Sequence, residues 1–342
     1  MGLEYKLRST LKLNYKLFLD MCFLREGGFT TVASGQQFYD GSVMSSLVPD
    51  ESAHELFTGM QVGQVWQSAF RQWVYESGVP VDGSLITAPP QVASGVYIHG
   101  AFRRPDDPIF AHKVDFINGR IIFDSPLPLN TEVHADFTYR HVRVGFEHQF
   151  NQQFNDGYIE SKFTTNPETS MQLVYPSGTK QPFPAVFIEV DGRDHAAYEL
   201  GNRSLITQDE IKFHIWALDD LQRDNIVDIL YSQTNKTIPL INFNIAPIPL
   251  SGIFNEISPE YIAYQDLLRN NRIVTTIGSG TPLRYMSYID KTVLQNEGAT
   301  QEYERALVTF YVKTYLNAPV TPLGHVFAPI SDIPSLGDTA FS

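Results

Sequence analysis

The stretch from Pro184 to Asn244 constrains the fold more than any other, because three kinds of local signal follow one another there. Ala185 to Val190 (AVFIEV) is a short apolar run rich in β-branched and aromatic residues, and Asp191-Gly192 closes it as a turn would. From Ile211 to Leu218, Ile211, Phe213, Ile215 and Ala217 alternate with Lys212, His214 and Trp216, which predicts a strand with one apolar and one mixed face. At Asp219 the period changes. Ile226, Ile229 and Leu230 recur at spacings of three and four, and Asp219 or Asp220 can cap the free amides of a first turn. A helix of about four turns is expected, with Ile226, Ile229 and Leu230 on the sheet and Arg223, Asp224 and Asp228 in water. No residue of this unit is arranged for chemistry.

A chain of 342 residues is long enough for about two domains, and at that size it can bury roughly three quarters of its unfolded surface. Its single cysteine, Cys22, excludes an intrachain disulfide and any cysteine-based metal cluster. A net charge of -13 disfavours a protein that grips nucleic acid by neutralising phosphates, though DNA could still pass by. Aromatic residues reach 13% while charged ones stop at 18%, an excess that suits either subunit contacts or aromatic-rich strands. No uncharged apolar run approaches the roughly 18 residues of a membrane span. The opening MGLEYKLRST lacks the apolar core of a signal peptide, and Lys6 stands where a myristoylation motif wants Ser or Thr. The expectation is a protein that stays in the cytoplasm where it is made, with no membrane partner.

Taken in order, the chain divides into an N-terminal helix and extended-arm region (1–90), an antiparallel β unit (91–150), a linker (151–180), an α+β domain (181–316) and an irregular tail (317–342). The expected class is α+β, β-rich, with antiparallel sheets and a few flanking helices. In Leu3 to Arg25 two periods compete, and the stripe Leu13, Leu17, Met21, Leu24 ending at Gly27-Gly28 favours a helix. Phe29 to Pro49 reads as an extended arm or long loop with little core, packed on a neighbouring subunit or folded back on its own domain. Gln61 to Tyr75 could be a strand anchored by Trp66, Phe70 and Val74, or a helix. Gly95 to Phe102 reads as one strand. Asn118-Gly119, between Lys113–Ile117 and Arg120–Phe123, is a hairpin signature in which both residues accept the positive φ of a type I′ turn.

Val133 to Val144 alternates with a parity change that a β-bulge near Arg140 or His141 would explain. The polar segment from Phe150 to Lys180 could hold a short strand at Met171 to Tyr175. Pro-broken IAPIPLSGIF cannot be a central strand. Ser258-Pro259-Glu260 opens a helix to about Asn270, and Ile273 to Ile277 suits a short strand. The last long hairpin is Leu283–Leu294, a turn at Asn296-Glu297-Gly298, and Glu302–Leu316, with Ala306, Val308, Phe310, Val312 and Leu316 facing one way and Arg305, Thr309 and Lys313 the other.

The search for chemistry yields no catalytic, cofactor-binding or metal-ligating residue. His134, His141 and His148 are evenly spaced, but odd separations send strand residues to opposite faces. His54-Glu55 begins like a zinc-protease motif, yet Thr58 stands where the second histidine is needed. GSG at Gly278 to Gly280 lacks the third glycine and the lysine of phosphate-binding loops, so it reads as a turn. Asp219-Asp220 is best read as helix capping and Asp191/Asp194 as turn residues. The sequons at Asn202 and Asn235 mean little without secretion, and Trp66, Trp73 and Trp216 suit core strands better than a stacking platform.

Two segments carry a resemblance. SGVYIHGAF…FINGRIIFDSPLP…VHADFTYRHVRV (Ser94 to Val144) resembles a strand-hairpin-strand module recurrent in tailed-bacteriophage virion proteins. PAVFIEV…ELGNRSLI…IKFHIWALDDLQRDNIVDIL (Pro184 to Leu230) is similar in its strand, strand, helix order to tail-terminator and connector proteins of the phage neck. Together they cover about a third of the chain. The resemblance implies a non-enzymatic virion component without cofactor, assembled in the host cytoplasm into a homo-oligomeric ring, sixfold or twelvefold. Its partners would be other head, neck and tail proteins, with DNA passing through the channel without specific binding. A baseplate, tail or capsid-decorating protein is the alternative within structural proteins; a hydrolase or carbohydrate-binding module is the alternative from another class.

Overall fold

The computed structural model of the protein describes residues 7–37, 43–50, 60–76, 79–81, 88–146, 184–197, 205–241, 243, 248–251, 256–257, 283–299 and 304–316. In chain order the elements are α1 (Leu7–Arg25), β1 (Phe29–Val32), β2 (Ser46–Pro49), β3 (Val65–Ser68), β4 (Val96–Ile98), β5 (Ala101–Arg103), β6 (His112–Asp115), β7 (Arg120–Phe123), β8 (Val133–His134), β9 (Phe137–Arg140) and β10 (Arg143–Phe146). They continue with β11 (Ala185–Ala197), β12 (Leu205–Ala217), α2 (Asp220–Tyr231), β13 (Thr237–Ile241), β14 (Leu250–Ser251), β15 (Glu256–Ile257), β16 (Leu283–Ala299) and β17 (Glu304–Leu316). The class is α+β and β-rich, with antiparallel sheets and two helices among the described residues, as the alternation predicts.

Seven short strands form one sheet in the order β5-β4-β8-β2-β3-β7-β6, and β1 pairs with β9 as a separate ribbon. Their shared core holds Val32, Leu47, Trp66, Val96, Val133 and Phe137. Trp73 stacks on Phe137 with centroids 4.3 Å apart, and Phe70 stacks on Tyr139 at 4.3 Å. Such offset stacking adds to area burial.

Long strands make the second sheet, β10-β11-β12-β17-β16-β13, antiparallel throughout except for β10 with β11. One face is apolar because alternate residues are: Val186, Ile188 and Val190, then Ile211, Phe213 and Ile215, then Ala306, Val308, Phe310 and Val312. Both helices pack into this core, α1 through Leu11, Tyr15 and Phe18 and α2 through Ile226, Val227 and Leu230. α1 is buried nearly all round, which is why its residues satisfy two periods at once. It stops in a Schellman turn: Gly27 takes φ +79°, Gly28 N–H donates to the Phe23 carbonyl and Gly27 N–H to that of Leu24. Asp219 caps α2 by accepting from Gln222 N–H at 2.8 Å. Pro239 falls in β13, at the sheet edge, where a missing N–H does no harm.

Several expectations are corrected. Phe29 to Pro49 is not a coreless arm: its described ends are β1 and β2, folded into the chain's own sheets with Val32 and Leu47 buried. Within the first 90 residues, α1 covers the six-stranded sheet while β2 and β3 lie inside the seven-stranded one. Gly95 to Phe102 is a hairpin, β4 and β5, turning at His99-Gly100, both at positive φ. At Asn118-Gly119 the connection is four residues long and only Gly119 has positive φ; Asp115 accepts from Asn118 N–H instead.

The parity change near His141 is no bulge in one ladder. The chain leaves the β1 ribbon after β9 and enters the other sheet as β10, so the inward side changes. Asp191-Gly192 does not end its strand; Gly192, at φ +55°, makes a β-bulge within β11. Asn296 to Gly298 is likewise a register shift within β16, which runs on to Ala299. The 151–180 linker with its Met171–Tyr175 strand, the Ser258–Asn270 helix, the Ile273–Ile277 strand, Gly278–Gly280 and the 317–342 tail lie outside the described residues.

Candidate functional site

Two polar constellations stand out, one buried and one open. The buried one centres on Asp20 of α1. Its Oδ2 lies 2.9 Å from an Arg140 guanidinium nitrogen and 3.1 Å from Lys16 Nζ, and it accepts the Tyr75 hydroxyl at 3.2 Å. The Arg140 guanidinium also covers the Tyr75 ring at 4.4 Å. Burial, the largest single influence, would lower the pKa of both cations, yet Asp20 and Tyr75 together outweigh it and both lie above their ordinary values. Burial raises the Tyr75 hydroxyl as well. Lys16, Arg140 and Tyr75 are thus each held in their resting charge state, with none of the three poised to exchange a proton near neutrality. The cluster fastens α1, which belongs to one sheet, to β9, which belongs to the ribbon beside the other. Breaking such a pair strands a buried charge.

The open one is the face of the six-stranded sheet opposite the helices. Its rows follow from register: Phe187, His214 and Leu307; then Glu189, Lys212, Thr309 and Val293; then Asp191, Glu210, Tyr311 and Lys291. Near the first row the face is closed, with Phe187 and Trp216 buried and the Arg305 guanidinium 3.7 Å over the Trp216 ring. Toward the third it opens, and Asp191 is half-exposed and Tyr311 exposed. Charges interlock diagonally: Lys212 with Asp191 at 2.6 Å, His214 with Glu189 at 3.0 Å, Lys313 with Asp290 at 2.9 Å. The hydrogen bond from Lys212 and the Gly192 N–H hold the Asp191 carboxyl below its ordinary pKa, and Asp191 raises Lys212 in return.

The residues weighed on sequence for chemistry do not converge. His134 of β8 meets Glu132 at 2.9 Å and Ser45, while His141, between β9 and β10, meets the Thr30 hydroxyl at 2.7 Å. His148, His54-Glu55 and Asn202 lie outside the described residues. Asn235 sits at φ +67° in the turn after α2 and accepts the Tyr288 hydroxyl. Trp66 and Trp73 are core residues as expected. Among the described residues no three of His, Cys, Asp or Glu come close enough to hold a metal ion, and no helix is long and apolar enough to cross a membrane. The open ladder was visible in the sequence as the second parity of β12 and β17; the Asp20–Arg140 pair was not, being 120 residues apart with no local signal.

No protein-family model matches this chain, and no curated protein matches it either.

Proposed function

We propose that this chain is a structural component of a tailed-phage virion, a neck protein of the head-tail connector or tail-terminator kind, whose copies close into a ring around the DNA channel. The observation that carries the reading is the length of the paired strands. β11, β12 and β17 have 13 residues each and β16 has 17, so at about 3.3 Å per residue they run roughly 40–55 Å. The 19 residues of α1 reach only about 30 Å at 1.5 Å each. Hairpins longer than the helices that back them can serve as arms between neighbouring copies. The order β11, β12, α2, with the helix capped directly after the strand, is also the order on which the neck resemblance rests. A net charge of -13 suits a channel wall that lets phosphates slide past.

Negative-stain electron microscopy of the full chain is expected to show closed rings with an open centre, and a low-salt shift assay no tight DNA binding. Monomers that bind DNA tightly overturn the reading. Antibody labelling of particles at the shell or the distal tail, instead of the head-tail junction, gives the protein to another part of the virion.

A further inference from the structure

Over the four long strands β11, β12, β17 and β16, the described side chains of the open face are segregated by sign, while at its closed end Arg143 of β10 lies over the Phe187 ring. Glu189, Asp191, Asp194 and Glu210 place acid on β11 and β12, with Lys212 and His214 among them. Lys291, Arg305 and Lys313 place cations on β16 and β17, with Asp290 as the one acid paired there. A single row crosses four strands as Asp191, Glu210, Tyr311, Lys291. Tyr311 is 38% exposed in the middle of it, its ring 5.7 Å from Lys291 Nζ. A solvent-facing aromatic ring rimmed by charge is the composition of a docking surface more than of bare sheet.

We infer that this face docks on the same face of a second copy of the chain, about a two-fold axis running along the strands between β12 and β17. That operation lays β11 over β16 and β12 over β17. Asp191 then meets Lys291 of the second copy, and Glu210 meets Tyr311 with its neighbouring lysine. The other in-plane two-fold, running across the strands, lays β11 on β11 and sets acid on acid. Sign segregation therefore selects one axis, and the contact is isologous, closing after two copies. Sheets that pack face to face stand about 10 Å apart, a gap that lysine and carboxylate side chains span together. The exposed rows carry no apolar stripe, so the attraction is mainly Coulombic and salt weakens it. This contact goes beyond the virion reading and does not need it: it doubles whatever assembly the chain otherwise makes.

The mass of the full chain, read by light scattering after gel filtration, is expected to fall by half between about 0.1 M and 1 M salt, where the screening length drops from about 10 to 3 Å. Two charge-reversed variants make the assignment specific, Lys291→Glu with Lys313→Glu, and Asp191→Lys with Glu210→Lys. Each alone is expected to show the halved mass at low salt with an unchanged circular dichroism spectrum. Mixed in equal amounts, they are expected to regain the doubled mass. If either double variant misfolds, Tyr311→Ser serves in its place, with pairing affinity reduced about ten-fold or more. A wild-type mass that ignores salt, a mixture that stays at the halved mass, or a Tyr311→Ser protein that pairs as well as wild type overturns the proposal.

Discussion

His112 begins β6 with 3% of its surface exposed, its ring 5.5 Å from that of Phe123. Nδ1 lies 2.8 Å from the Phe110 carbonyl, which can only accept, so Nδ1 carries the proton; Nε2 is buried without a hydrogen-bond partner. A second proton would put a charge where nothing solvates it. Burial accordingly lowers the His112 pKa, outweighing the Phe110 carbonyl and the acids Asp107 and Asp124. The unfolded chain takes up its proton near pH 6.5, and the folded imidazole only at lower pH. In that window the unfolded state binds more protons, so stability is full above about pH 7 and falls as pH drops toward the lowered folded value. His112→Phe keeps a ring against Phe123 and removes the titration. Urea midpoints at pH 5 and pH 7.5 are expected to differ less in the variant than in the wild type; an identical difference would show that this residue is not the source.

Asn14 decides how one edge of the six-stranded sheet ends. Its side-chain amide donates to the Ile241 carbonyl at 3.0 Å and accepts the Ile241 N–H at 2.7 Å, so α1 presents β13 with a substitute for a further strand. Asn14 is fully buried and Ile241 nearly so. Asn14→Ala leaves two buried backbone groups unpaired, each worth about 1–3 kcal/mol; a loss of about 2–5 kcal/mol in urea unfolding is expected, and a loss under 1 kcal/mol would mean that water replaces the amide. Elements like this separate what was legible in the chain from what was not. The alternation of Ile211, Phe213 and Ile215 and the cap at Asp219 are local, and each appears where its residues place it. Asp191-Gly192 suits a turn or a bulge equally well, and the choice falls to β12, which pairs with β11 on both sides of the glycine. Asn296 to Gly298 is decided the same way by β17. In β9 and β10 the parity change was visible, but its cause, a change of sheet, depends on β1 and β11, partners distant in sequence. The open ladder was legible as a face; which face faces water was fixed only once α1 and α2 had taken the other.

At the scale of the molecule, α1 is shared: its chain neighbours are β1 to β9, but its apolar contacts are with the six-stranded sheet. Leu11, Tyr15, Leu17, Phe18, Leu19 and Met21 are all buried there or against the residues beside it. Burying six such side chains contributes about 9–18 kcal/mol at about 1.5–3 each, against a net stability of about 5–15 kcal/mol for a whole domain. The sheet therefore cannot do without the helix, although some 160 residues separate α1 from β11 in sequence. Residues 184–342 produced alone are expected to be insoluble, or to bind a hydrophobic dye and unfold without a cooperative transition. Residues 1–146 alone would expose the apolar side of α1 and are expected to aggregate. Co-expressed, the two pieces are expected to purify together, because Asp20 with Arg140 holds α1 to β9 and the sheet then has its cover. Replacing Leu11 and Phe18 with Asp in the N-terminal piece should abolish that recovery. A 184–342 fragment that unfolds cooperatively by itself would show that the sheet holds its own core, and that the helix is only an addition to it.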